Sequence, residues 1–285
     1  MIKRVAAFND LSGFGKCSLT AAIPTLSALG IQCNPIPTMI LTGQGGYAVR
    51  YTRDMTDLLP YYMEAWQANG ATFAGIYSGY TTGPAQIETI LQFIDRFRTS
   101  DTFILVDPVM GDHGHTYNIF SEELLSRMKT LSRKASMITP NLTEACLLAD
   151  VPISLEYTLE QATSIATDLR SKAEGNQDVI ITGVMVTEEG NDYLYNVAAT
   201  AEGIHYAPLP MFPRSFSGTG DLFASIMCGL KLNGYPTSKA IDLATQFLYH
   251  SIQDTMEYNT DSNEGIAFEG HLGELVDLVK GGCHV

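Results

Sequence analysis

Basic residues are scarce in this chain. Its 285 residues include 17 Lys and Arg against 31 Asp and Glu, a formal net charge of −14. Such a surface repels phosphate backbones and anionic bilayers, so neither nucleic acid nor a membrane is an expected partner. An anionic ligand must then be held by local devices: main-chain N–H groups, a helix start or a divalent cation. Cysteine is sparse as well. The five (Cys17, Cys33, Cys146, Cys228 and Cys283) are dispersed, odd in number and form no CxxC pair. That excludes a disulfide framework or a cysteine zinc site and fits reduced thiols. His113 and His115 are close but have no cysteine beside them, and no dedicated transition-metal site is expected. No run is long and apolar enough to span a bilayer, and the first residues lack the apolar core of a signal peptide. A soluble, cytoplasmic protein is the expectation. Repeats, linkers and charge blocks are also missing, while 45% of the residues are apolar. One domain over residues 1–285, with a substantial core, follows.

What is present is an alternation of short apolar strands and amphipathic helices, the pattern of an α/β fold. Strands are expected near 4–9, 33–40, 72–77, 102–106, 135–138 and 178–183, with an antiparallel edge hairpin at 191–198 and 203–208. Helices are expected near 17–29, 55–68, 84–98, 121–133, 158–173, 220–233, 237–256 and 270–280. Thr102–Val106 reads as an uninterrupted run, apolar after its threonine, as a central parallel strand would be. Two familiar glycine motifs come close after the first strand and fail. Asp10 and Cys17 stand where a Walker A loop needs Gly and Ser/Thr, and Ser18 replaces the third glycine of a dinucleotide turn. Neither a P-loop protein nor a nicotinamide-dependent oxidoreductase is favoured.

The centre of the chain's chemistry is Ser215-Phe216-Ser217-Gly218-Thr219-Gly220-Asp221, followed by an apolar helix that ends before Gly234. Glycines let the backbone close on a ligand, and the free N–H groups of a helix start attract phosphate. A carboxylate beside such a site repels its ligand unless it has a task, such as taking the proton of an attacking alcohol. The plainer reading is that Asp221 only complements the helix dipole. Other strands deliver further acids to the same sheet edge, so that Asp10, Tyr80, Asp107, Glu144, Thr182 and Asp221 are expected to gather there. Asn141 reads as an N-cap with Glu144 completing a capping box, and both can cap and still face the crevice. Tyr47 and Tyr80 either pack under their loops or stack on a flat ligand. Acids with a glycine-lined helix start are what phosphoryl transfer needs, two of them able to hold hydrated Mg²⁺.

Five motifs in order carry a resemblance over nearly the whole chain: Ser78-Gly79-Tyr80, Asp107-Pro108-Val109-Met110-Gly111-Asp112, Ile138 to Glu144, Ile181-Thr182 and Gly218 to Ala224. Together they make the chain resemble the vitamin kinases of the ribokinase-like superfamily, the pyridoxal kinases most of all. The resemblance implies a three-layer α/β/α fold with a central, mostly parallel sheet. It implies transfer of phosphate from ATP, with Mg²⁺ and with room for a monovalent cation, to the hydroxymethyl group of a B6 vitamer. By the same resemblance Asp221 would be the base, and Gly218, Thr219 and Gly220 the anion hole. Asp107 and Glu144 would orient Mg²⁺. Asn141, Thr182, Asp112 and Phe216 would face ATP, and Asp10, Ser12, Tyr80 and Gly45 the small-molecule acceptor. A homodimer is implied too. The chain departs from the pattern at Asp10, where serine is usual, and at Gly45, where threonine is usual. A kinase of 4-amino-5-hydroxymethyl-2-methylpyrimidine therefore stays open, as does a non-catalytic binder of nucleotide or pyridoxal phosphate. Kinases of that pyrimidine tend to have cysteine directly after the anion-hole glycines, a place held here by Asp221.

Overall fold

The computed structural model describes residues 2–154, 156–258 and 260–281. Its first half runs β1 (Arg4–Ser12), α1 (Ser18–Ala28), β2 (Gln32–Leu41), β3 (Thr52–Asp54), α2 (Leu59–Ala68), β4 (Gly75–Ser78), α3 (Pro84–Phe97) and β5 (Phe103–Val106). A small hairpin of β6 (Gly111–Asp112) and β7 (His115–Thr116) follows, then α4 (Glu122–Lys134), β8 (Met137–Ile138), α5 (Leu142–Ala149) and α6 (Leu159–Ser171). Last come β9 (Asp178–Glu188), β10 (Asn191–Thr200), β11 (Gly203–Pro210), α7 (Thr219–Leu232), α8 (Thr237–Glu257) and α9 (Leu272–Gly281). Cys283 lies outside the described residues; the other four cysteines are free thiols.

One nine-stranded sheet has the order β11-β10-β9-β8-β5-β4-β1-β2-β3. The strands from β9 to β2 run parallel, while β10 is antiparallel to β9 and β3 to β2. Side chains alternate across a strand, and here both parities are apolar, so both faces are buried. Ala6, Phe8, Ile76, Ile104, Val106, Ile138, Val179 and Ile181 face a core closed by α2 to α6. Val5, Ala7, Tyr77, Leu105, Met137 and Ile180 face a second core under α1, α7, α8 and α9. This is the expected three-layer α/β/α build around a mostly parallel sheet. Among the described residues no helix is long and apolar enough to cross a membrane.

The structure moves several boundaries. β1 continues past residue 9 to pair Leu11 with Ile40 and Ser12 with Leu41, so Asp10 lies inside the strand, not in the turn after it. Residues 52–54 form the edge strand β3, and α2 begins at Leu59, four residues later than its periodicity suggested. Gly183 marks a bulge, not a strand end. It has a φ of +71°, and β9 pairs with β10 on both sides of it, with Val184 opposite Tyr195 and Ile181 opposite Val197. Glu189 and Gly190, at φ +50° and +83°, then turn the chain tightly into β10.

Candidate active site

All parallel strands end on one edge of the sheet, and the acids expected there come together. Asp107 follows the last residue of β5 and is almost fully buried. Thr139 Oγ1 donates to its Oδ1 at 3.2 Å. Burial, then the negative charge of Asp221, pushes its pKa up to about 8. Glu144 is buried in the first turn of α5. The expected capping box is present: Asn141 Oδ1 accepts from the Glu144 N–H at 3.0 Å, and Glu144 Oε2 accepts from the Asn141 N–H at 2.9 Å. Its other oxygen accepts from the Met110 N–H at 3.1 Å. Burial and the nearby Asp107 hold the Glu144 carboxyl well above the usual carboxylate range. The side chain thus caps the helix while lying close to Asp107.

Asp221 lies in the first turn of α7 and is half-buried. Burial and the charge of Asp10 raise its pKa to about 6, against the pull of donors from Ser18 and Asn9. Asn9 Nδ2 donates to Asp221 Oδ1 at 3.0 Å, while Asn9 Oδ1 accepts from the N–H groups of Asp10 and Tyr80 at 3.0 and 2.8 Å. The amide cannot be turned over without losing all three bonds. Asp10 is buried and accepts from Ser18 Oγ at 2.5 Å and Ser12 Oγ at 3.0 Å. Burial raises its pKa even so. Ser18 holds a φ of +50°, a strained value for a residue with a side chain, and it stands between the two acids. Tyr80 lies near Asp10: burial and the charge of Asp10 raise its phenol pKa.

Gly218 caps α7 with a φ of +81°, and a Cβ there would run into the Lys16 carbonyl. The phosphate-type loop and the turn after β1 are therefore in backbone contact, which only glycine permits. Next to Gly218, Ser217 N–H donates to the Ser262 carbonyl at 3.1 Å, and Lys16 N–H donates to the Glu264 carbonyl at 3.0 Å. On the opposite flank Asn141 and Thr182 are bridge partners, with the Thr182 N–H donating to the Pro140 carbonyl at 2.9 Å. Asn141 Nδ2 donates to the Gly111 carbonyl at 2.8 Å. Asp112 sits in the β6–β7 hairpin with half its side chain exposed and accepts from the His113 N–H at 2.7 Å. Phe216 is buried in the second core, its ring 5.2 Å from the Arg214 guanidinium. Gly45 lies on an exposed loop, and a Cβ at that position would meet nothing within 4 Å. Tyr47 packs on Phe14 with ring centroids 5.3 Å apart.

Among the described residues no Lys or Arg is paired with Asp10, Asp107, Glu144 or Asp221. Crowded carboxylates without a basic partner fit a hard divalent cation, and their oxygen-only donor set fits Mg²⁺ better than a softer metal. Sequence reading missed Asn9, Ser18, Thr139 and Tyr117, whose phenol is raised by burial and then by Asp112, Glu144 and Asp107. A fully apolar strand interrupted by one Asn next to an Asp was the only hint of Asn9.

The sheet and its two helical layers have the ribokinase-like build, and the comparisons make the chain a phosphotransferase acting on an alcohol group. More narrowly, the chain belongs to the phosphomethylpyrimidine kinase family, whose profile matches residues 17–265. It is similar to a Bacteroides thetaiotaomicron protein described as a candidate phosphomethylpyrimidine kinase and crystallised with pyridoxal. The two are 37% identical with a TM-score of 0.91 over 96% of each chain. The pyridoxal kinase of Lactobacillus plantarum is 27% identical with a TM-score of 0.90 over 100% of both chains. A pyridoxine/pyridoxal/pyridoxamine kinase of Bordetella avium is 25% identical over 85% of this chain and 82% of its own.

Proposed function

We propose that the chain transfers the γ-phosphoryl group of ATP to the 5-hydroxymethyl group of pyridoxal, pyridoxine or pyridoxamine. The observation that carries this is Asp221, half-buried at the glycine-lined start of α7 with its pKa pushed up to about 6. A carboxylate in that range is ionised at neutral pH yet basic enough to take an alcohol proton as the oxygen attacks. The N–H groups around Gly218, Thr219 and Gly220 stand where the transferred phosphoryl gains charge, the contribution of an anion hole. Asp10, Ser12 and Tyr80 form the acceptor pocket in this reading, and Gly45 leaves room for the ring at its mouth. Asn141 and Thr182, neighbours across the β8–β9 edge, are assigned to the ATP phosphates, with Asp112 beside them. Phe216 is assigned indirectly, since its buried ring supports the loop that meets the nucleotide. Asp107 and Glu144 would hold Mg²⁺, which when bound offsets the negative charge of the phosphate oxygens.

The second reading is a kinase of 4-amino-5-hydroxymethyl-2-methylpyrimidine. Asp10, whose carboxylate can accept from a ring amino group, is the observation on its side; the relatives described as pyridoxal kinases do not favour it. ATP turnover measured in parallel with the three B6 vitamers and the pyrimidine alcohol decides between them. The proposal expects kcat/KM for at least one vitamer to exceed that for the pyrimidine; the reverse ranking rejects it. No turnover with any of the four would leave a binding protein. The same reading takes residues 1–285 as one kinase domain, cytoplasmic and dimeric. Sedimentation at assay concentrations tests the dimer, and activity in K⁺ against Na⁺ tests a monovalent cation.

A further inference from the structure

Away from the crevice, α8 and the segment leading into α9 bring two histidines against one glutamate. His250 Nδ1 lies 3.2 Å from Glu274 Oε2 and 3.3 Å from Oε1, and His271 Nδ1 lies 2.7 Å from Oε1. One ligand atom from each of the three residues falls within 4.8 Å of the others. Two nitrogens and an oxygen bound to zinc at about 2.0–2.1 Å in a tetrahedron would stand about 3.3–3.4 Å apart. The His250 spacings of 3.2 and 3.3 Å lie close to that value, and the His271 spacing of 2.7 Å is shorter. A second feature is independent of the first. His271 turns its other ring nitrogen to Asp254, with Nε2 2.9 Å from Oδ2. A carboxylate on the far nitrogen fixes the ring's orientation and raises its strength as a donor, the arrangement found behind metal-bound histidines. His271 is largely shielded, its side chain 17% exposed.

We propose that His250, His271 and Glu274 form a zinc-type site with water in the fourth position, oriented by Asp254. Nitrogen ligands separate it from the carboxylate centre: imidazole suits a borderline cation such as Zn²⁺, which Mg²⁺ does not replace. Its place defines its role. His250 and Asp254 lie one helical turn apart on α8, and His271 and Glu274 three residues apart on the following segment. An ion there would clip the C-terminal helix onto α8 and thus onto the face that carries α1 and α7. The sequence expectation of no transition-metal site looked for cysteines and adjacent histidines, whereas these two are separated by about twenty residues of chain.

The test is titration of the chelator-treated full chain with Zn²⁺ in saturating Mg²⁺, which fills the carboxylate centre. About one equivalent is expected to bind. His271→Ala and Glu274→Gln should each weaken it at least tenfold, while His205→Ala, which removes a histidine paired to Asp242 elsewhere, should not. If a variant does not fold, the unaltered protein still decides: the Nδ1 resonances of His250 and His271 must shift in long-range ¹⁵N NMR spectra as Zn²⁺ is added. Resonances that stay in place at saturating zinc, or folded variants with undiminished uptake, overturn the site.

Discussion

The two halves of the crevice hold their acids by different means. Around Asp107 and Glu144 most donors are main-chain groups, the N–H of Asn141 and of Met110, with a single hydroxyl from Thr139. Around Asp10 and Asp221 most are side chains: Asn9, Ser12 and Ser18, all from β1 and the start of α1. Main-chain donors survive every substitution except proline, so the first half is tied to the fold itself. Side-chain donors can be exchanged one at a time, so the second half is where acceptor choice can be altered without disturbing the frame.

Four experiments sharpen or break this division. The largest effect is expected at Asp221. Asp221→Asn should lower kcat by roughly 10² or more with ATP affinity retained, the loss of a general base. Near-normal turnover would leave Asp221 as a helix-start residue. Next is Asp10→Ser, measured as the ratio of kcat/KM between each vitamer and the pyrimidine alcohol. A hydrogen bond to a charged group is worth about 1.5–3 kcal/mol, so that ratio should move about ten- to hundredfold. Equal loss on every substrate would confine Asp10 to shaping the strand.

Asn9→Ala should cost about tenfold in kcat and also move the acidic limb of the pH–rate profile. With Asp221 as base, activity rises as pH passes upward through about 6. Asn9 stabilises the ionised form, so its loss should move that midpoint to higher pH. An unmoved midpoint with lowered Tm would make Asn9 purely structural. The smallest effect is on stability. Asp107 has a pKa of about 8 in the folded protein against 3.8 as the reference value, so the folded state binds more protons between those limits. Metal-free stability should therefore fall as pH rises across that window. Replacing Asp107 by Asn should flatten the fall in Tm by a few degrees, and Mg²⁺ should restore Tm in the unaltered protein at pH 8. Equal slopes with and without the carboxyl would mean that it does not titrate in this range.

Local signals were legible in the sequence, and contacts across the chain were not. The Asn141–Glu144 box, the apolar strand at 103–106 and the break at Gly234 all depend on neighbours a few residues away. The gathering of acids followed from strand direction alone, because every parallel strand ends on the same edge. Asn9 escaped because its partner is 212 residues distant. β3 and the β6–β7 hairpin escaped because two or three residues carry no periodicity. Gly183 misled because a glycine with positive φ ends a strand as readily as it bulges one.

The last strand of the sheet has a consequence for how these molecules behave when crowded. Pro208 and Pro210 stand opposite Tyr195 and Tyr193, two residues apart and therefore alike in orientation. Since β11 keeps its ladder with β10 through this stretch, the donors the prolines lack are those that would have pointed outward. A stray strand arriving from a neighbouring copy finds no N–H at either position to zip onto. That rim is thus a poor template for sheet-to-sheet polymerisation. Replacing both prolines would turn a terminus of the sheet into an adhesive edge.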